Sequence, residues 1–339
     1  MDSITQVVLG AAVGEAVLGK KVGNRAPLWG AICGTIPDLD VSANFFMDPL
    51  GALIAHRGIT HSIVFSVAMA PVMGFLIYRI YKGKWGTQNE WSKMAFWSLI
   101  THPLLDCFTT WGTQLFYPFS DYRVALNNIF VVDPMYTVPF MIFLIVAMTL
   151  RKESRWRRIW NTTGLLVSSF YMILTLANKM EVEAVFTNAL HQQGKSVTRI
   201  STYPTPLNNL LWYCVAEEPF GFDIGYYSLL GNPQGISFIH IPHNHQLIKG
   251  KEENYVIDRL NWVSKGYYAL ESRNDTLLWH DLRFGLLNGW DPASDPEYVF
   301  TFEVYQKEGE YDGIIQANPD ISRLGKKELK EFWDKMWGK

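Results

Sequence analysis

Imidazoles and carboxylates recur in three stretches of this chain that are otherwise apolar. Asp38 and Asp40 close Gly34-Thr35-Ile36-Pro37-Asp38-Leu39-Asp40, and His56 and His61 flank Arg57 in His56-Arg57-Gly58-Ile59-Thr60-His61-Ser62. His102 and Asp106 lie four residues apart in Thr101-His102-Pro103-Leu104-Leu105-Asp106. An ionisable group at membrane depth costs about 2.5–3.5 kcal/mol on insertion scales and marks a function by default. Imidazole nitrogens and carboxylate oxygens are also the donors taken by a borderline divalent ion such as zinc. A zinc site with an open position needs three protein ligands, and these stretches supply more.

On a helix, His102 and Asp106 share a face. They can grip one ion or simply link two helices, and the pair alone leaves both readings open. The two further imidazoles shift the balance toward a metal, so the expected ligand set is Asp38, His56, His61, His102 and Asp106. Asp40 is the expected general base, or the carboxylate that orients an imidazole. The planar fork of Arg57 suits a substrate phosphate, although a headgroup or an ion pair with Asp38 or Asp40 would satisfy it equally. Asp133, before Pro134, reads as a helix cap, as does Asp2. His240, His243 and His245 form a second group, where Pro242 and Asn244 point to a strand end or turn and a metal is the minor reading.

Apolar segments must position these residues. A helix needs about 20 apolar residues to cross a bilayer. Residues 62–81, 134–150 and 159–176 meet this, and 94–111 has the length while carrying His102 and Asp106. Residues 4–19 are shorter, rich in Gly and Ala, and interrupted by Glu15; 26–36 predict a half-helix ending at Pro37. Broken helices at membrane depth line protein-enclosed cavities. Three basic clusters are expected on the cytoplasmic side: Lys20, Lys21 and Arg25; Arg79, Lys82, Lys84 and Lys93; Arg151, Lys152, Arg155, Arg157 and Arg158. Both chain ends and the loops 37–61 and 112–133 then fall outside, which gathers Asp2, Asp38, Asp40, His56, His61 and Asp133 at one extracytoplasmic rim.

Charged residues make up 18% of the 339, below the roughly 25% of soluble proteins, and ordinary soluble patterning begins only beyond residue 180. The expected domains are a transmembrane helical domain carrying the metal site, 1–180, and an extracytoplasmic α+β domain, 181–339. Alternating stretches at 237–241, 267–270 and 298–305 predict strands, and the Lys- and Glu-rich residues 318–339 an amphipathic helix. A net charge of −2 argues against a nucleic-acid binder, which would show a basic stripe. Cys33, Cys107 and Cys214 have no paired spacing and predict buried free thiols. The first residues lack the features of a cleaved signal, so Met1 or Asp2 is expected to remain in the mature chain. No Gly-rich phosphate loop or nucleophile elbow is found.

The succession Met1-Asp2-Ser3-Ile4-Thr5, Pro37-Asp38-Leu39-Asp40, His56 to Ser62, His102 to Asp106, and Asp133-Pro134 resembles bacterial inner-membrane proteins described as membrane-bound, metal-dependent hydrolases. The likeness covers about residues 1–140. The Pro-Asp turn, the His-to-His-Ser stretch and the His-x3-Asp helix also look like parts of zinc-dependent phospholipase C-type proteins. Under that looser likeness Asp38, His61, His102 and Asp106 match metal-binding positions. Many relatives carry His where this chain has Gln6. The resemblance implies the bacterial inner membrane, a divalent metal (zinc above all) and hydrolysis.

The combined expectation is a polytopic α-helical membrane domain, about five spans plus a short half-helix, followed by a soluble α+β domain. Through a metal-activated water it would hydrolyse an amphiphilic ester, above all a phospholipid or another phosphodiester, with the lipid bilayer as partner. The competing expectation is a transporter or ion-binding membrane protein that uses its intramembrane His and Asp residues without hydrolysis.

Overall fold

The computed structural model describes residues 1–273, 276–291, 295–317 and 325–339. They divide into two compact units: Met1–Ala43 with Ala55–Leu176, and Asn44–Ile54 with Ala177–Lys339.

The first unit is helical. Helix α1 (Ser3–Gly14) is capped by Asp2, whose carboxylate accepts from the N–H groups of Ile4 and Thr5, both at 3.0 Å. The chain continues through a π-turn, Glu15–Gly19, into α2 (Lys20–Val22), and a turn at Gly23 (φ +64°) sends it back as α3 (Arg25–Thr35). Helices α1 and α3 pack backbone to backbone. A Cβ on Gly10 would stand 2.4 Å from the Gly30 carbonyl oxygen, and one on Gly14 2.5 Å from that of Ala26. Glycines four apart on both helices permit this approach, as small residues do between membrane helices.

Two 3-10 segments, Pro37–Phe45 and Ile59–His61, precede α5 (Ile63–Ile80), which Ser62 caps by accepting from the Phe65 N–H at 3.0 Å. Helix α6 (Gln88–Asp106) starts in a Thr87–Glu90 capping box. Asp133 caps α7 (Pro134–Thr149), accepting from Met135 and Tyr136 N–H at 2.9 and 3.1 Å. Both caps expected from the sequence are present. Helix α8 (Arg155–Gln192) supplies residues to both units. Glu15 is buried, and Arg157 closes on it with Nε–Oε1 and Nη2–Oε2 distances of 2.6 Å.

The expected count of about five spans is overturned. Among the described residues two helices are long and apolar enough to cross a membrane, Ile63–Ile80 and Arg155–Gln192. Helix α3 has 11 residues, about 17 Å against a hydrocarbon core of ~30 Å, and is the short helix expected before Pro37; α1 has 12 residues before its π-turn. Apolar α7 stops at 16 residues. Helix α6 has 19, but its boundaries undo the expectation: the polar turn with Asn89, Glu90 and Lys93 lies inside it, and residues 107–111 lie outside. Apolar length in the sequence did not foresee where each helix starts and stops.

The second unit holds two four-stranded antiparallel sheets in sequential order. One is β1 (Arg199–Pro204), β2 (Leu211–Glu218), β3 (Gly221–Ser228) and β4 (Phe238–Pro242). The other is β5 (Tyr268–Arg273), β6 (Thr276–Asp281), β7 (Thr301–Lys307) and β8 (Glu310–Ala317). The stretches expected as strands form β4, β5 and β7. Helix α9 (Tyr255–Ser264) precedes the second sheet and α10 (Lys326–Met336) follows it; residues 318–324 of the expected tail helix lie outside the described residues. Residues 44–54 carry most of α4 (Pro49–Ala55) into this unit. There Leu50 is 3% exposed in one core with Ile248, Leu260, Trp279 and Phe302, flanked by Leu53 and Ile54. The three cysteines are free and buried, as expected.

Candidate metal centre

Four side chains from three segments converge in the first unit. Asp38 leaves the first turn of Pro37–Phe45, His61 ends Ile59–His61 just before the α5 cap, and His102 and Asp106 stand a turn apart at the end of α6. His61, His102 and Asp106 are buried, and Asp38 is partly exposed.

His61 Nε2 and His102 Nε2 are 3.1 Å apart. Asp38 Oδ1 lies 3.6 Å from the first and 3.3 Å from the second, and Asp106 Oδ2 lies 3.4 and 3.6 Å from them. Donors at about 2.0–2.1 Å from one tetrahedral ion stand about 3.3–3.4 Å apart. Five of the six edges of such a figure are therefore in place, at 3.1–3.6 Å.

The proton positions agree with this. His102 Nδ1 lies 2.6 Å from the Gly34 carbonyl oxygen, so that nitrogen carries the hydrogen and Nε2 offers its lone pair. His61 Nδ1 lies 3.3 Å from Asp40 Oδ2, which orients it likewise. Two lone pairs facing at this distance repel unless a proton or a cation stands between them. Asp106 Oδ2 is also a buried acceptor without a hydrogen-bond donor among the described residues. Such acceptors cost roughly 1–3 kcal/mol each, and a cation removes the deficit.

Electrostatics favour a positive charge here. Burial pushes the Asp38 carboxyl up, but the facing His102 and His61 imidazoles outweigh it and hold it well below the usual range. Burial acts the same way on Asp40, outweighed by His56 and His61. Burial lowers the His61 pKa, yet the Asp106, Asp38 and Asp40 carboxylates around its ring carry it up to about 9. The site takes a proton on His61 or a cation among its four donors.

Of the expected ligands, Asp38, His61, His102 and Asp106 come together, and His56 stands apart. Its Nδ1 faces Asp40 Oδ1 at 3.1 Å and its ring is 32% exposed. Asp40 Oδ2 accepts from the Arg57 N–H at 2.8 Å and from the Thr60 hydroxyl at 3.3 Å. Arg57 adopts the left-handed backbone (φ +57°) and turns inward: Nη1 donates to Thr109 Oγ1 at 2.8 Å, and Nε lies 3.2 Å from Asp106 Oδ2 without hydrogen-bond alignment. Sequence reasoning missed the Gly34 carbonyl, Thr109 and the Met1 amine, which lies against Asp106 Oδ1. Gln6 Nε2 donates to the same oxygen at 2.9 Å. An amide on the buried face of an apolar helix was the available signal for Gln6.

In the second unit His240 sits opposite Asp223 in the β3–β4 register, Nδ1–Oδ1 2.8 Å, and Glu218 completes another group able to approach one ion. Lys195 Nζ lies 2.6 Å from Asp223 Oδ2, so an ammonium already supplies the positive charge. His243 and His245 stack on each other, ring centroids 4.2 Å apart, outside this group.

Two helices are long and apolar enough to cross a bilayer, and a buried His and Asp cluster that could hold a divalent ion lies just before one of them. The chain belongs to the YdjM inner membrane protein family, whose pattern matches residues 1–182 and so includes all four converging side chains. It is 31% identical over 122 residues to Inner membrane protein YbcI of Escherichia coli (strain K12), covering 35% of this chain and 69% of that one. It is also 31% identical over 144 residues to Uncharacterized protein YfhP of Bacillus subtilis (strain 168), covering 40% and 42%. No solved structure matches the chain.

Proposed function

We propose that this inner-membrane protein is a metal-dependent hydrolase whose ion is held by Asp38, His61, His102 and Asp106. The supporting observation is the set of donor separations, 3.1–3.6 Å, around a buried and electron-rich centre. Two imidazoles with two carboxylates suit zinc among the borderline ions. Such an ion polarises a substrate oxygen and lowers the pKa of a bound water to about 7. The chain's own residues do the rest. Asp40 holds His61 so that Nε2 points inward, and it also faces His56, whose ring is partly open to solvent. Arg57 offsets the charge of Asp106 and favours an anionic substrate. The site immediately precedes an apolar helix, which supports an amphiphilic ester, such as a phospholipid or another phosphodiester. The basic clusters support an extracytoplasmic placement for the second unit.

The test is metal analysis of the detergent-purified full chain alongside hydrolysis of a panel of lipids and aryl phosphodiesters, repeated on His61→Ala and His102→Ala. The expected result is stoichiometric metal and hydrolysis, both lost in each variant. Metal content unaltered by the substitutions overturns the site. Metal without hydrolysis of any ester makes the chain an ion-binding membrane protein instead.

A further inference from the structure

Two of the residues beside the four donors are exposed and apolar. Leu39, between Asp38 and Asp40, is 66% exposed, and Ile59, two residues before His61, is 61% exposed. Phe116, Phe119 and Tyr122 are exposed at 49%, 86% and 62%. Their loop is fastened to the site: the Gln114 N–H donates to the Arg57 carbonyl, and the Ile63 N–H to the Leu115 carbonyl, both at 3.0 Å. Soluble surfaces tolerate such residues singly, whereas a concentration of them marks an interaction surface.

Helix α5 decides which one. It has 18 residues, about 27 Å at 1.5 Å per residue, against a hydrocarbon core of ~30 Å. A helix of that length is used in full, so Ile63, its first residue, falls at the boundary between acyl chains and headgroups. The 114–122 loop is hydrogen-bonded at Ile63 and shares that depth. Apolar exposure continues from Ile59 along α5 through Ile63, Val64 and Val67. Aromatic side chains with an apolar body are the types enriched at this level of a membrane.

We propose that Leu39, Ile59, Phe116, Phe119 and Tyr122 are immersed in the lipid interface, so that the candidate centre opens toward the bilayer. A reactant then arrives sideways, as a membrane amphiphile. That last clause rests on the hydrolase reading, whereas the immersion stands on the geometry alone.

The test uses the full chain in phosphatidylethanolamine–phosphatidylglycerol vesicles, with a nitroxide attached at Phe119→Cys or Leu39→Cys. The native thiols are at most 5% exposed, which confines the label to the new cysteine. Glu252→Cys, at an exposed position of the second unit, gives the aqueous reference. Collisions with molecular oxygen, which concentrates in lipid, are compared with collisions with a water-soluble nickel chelate. The expected oxygen-to-nickel ratio at residues 119 and 39 is severalfold above that at 252. A ratio equal to the reference, or low access to both reagents, overturns the proposal. Metal content and ester hydrolysis, measured on the same samples, fail independently: their loss sinks the hydrolase reading and leaves the accessibility result standing.

Discussion

Asp40 accepts hydrogen bonds from the Arg57 N–H and the Thr60 hydroxyl while facing the Nδ1 atoms of both His56 and His61. It is not one of the four converging donors, yet it fixes the orientation of one of them. Removing such a partner typically costs 10–100-fold in metal affinity. Asp40→Asn is therefore expected to weaken metal binding by about that factor with unchanged stoichiometry, and Asp40→Glu to recover part of it; equilibrium dialysis that finds no change removes the role. His61 gives a second expectation. Its pKa is raised from 6.5 to about 9, so at neutral pH a metal must displace a proton. Affinity should rise with pH until about 9, with close to one proton released per ion at pH 7. Calorimetry in buffers of different ionisation enthalpy reads that number. The sign for stability is opposite: in the metal-free chain the raised pKa stabilises the fold below pH 6.5, and this contribution is lost as pH rises through about 9. The candidate ligands were legible in the sequence because charged and imidazole side chains stood where apolar ones were expected. The partners that aim them were not, since a backbone carbonyl such as that of Gly34 has no signature in residue type.

The pair of Glu15 and Arg157 shows what was hidden at the scale of elements. In the sequence Glu15 interrupts an apolar run and Arg157 belongs to a basic cluster. In the fold they satisfy each other, 142 residues apart, where the first helix opens into its π-turn. Removing one partner of a buried pair costs about 3–5 kcal/mol, because the other charge is left unpaired. Glu15→Leu should lower thermal stability by that amount, and Glu15→Leu with Arg157→Leu should regain most of it. Equal melting temperatures for the single and double variants would show that the two do not depend on each other. Helix caps, by contrast, were readable at Asp2 and Asp133, because a cap needs one short polar side chain at one position. Helix extents were not. A window of apolar residues shows neither whether a polar first turn, such as that of α6, belongs to the same helix nor where a helix such as α7 stops, and the expected number of spans failed for those reasons.

At the scale of the molecule, the contrast between an apolar half and a half with soluble patterning was visible in composition, as were three of the eight strands. The excursion of residues 44–54 into the second unit was not visible. Its apolar residues, Phe45, Phe46, Met47, Leu50, Ala52, Leu53 and Ile54, follow closely on the Asp38 motif, and nothing in their types says which core they join. The excursion makes the second unit discontinuous, and a single cut cannot free it. Residues 177–339 made alone should lack the wall that Leu50 provides, a loss comparable to the 2–5 kcal/mol of a large-to-small core substitution. A peptide of residues 44–54 added in trans should raise the melting temperature of that fragment; an unaffected fragment would show that the wall is dispensable. The same excursion leaves the first unit just after Asp40 and returns just before His56, and those two side chains meet at 3.1 Å across its neck. The carboxylate that joins the two ends of the loop is thus the one that steadies His61, so the closing of the excursion and the aim of a candidate ligand depend on a single side chain.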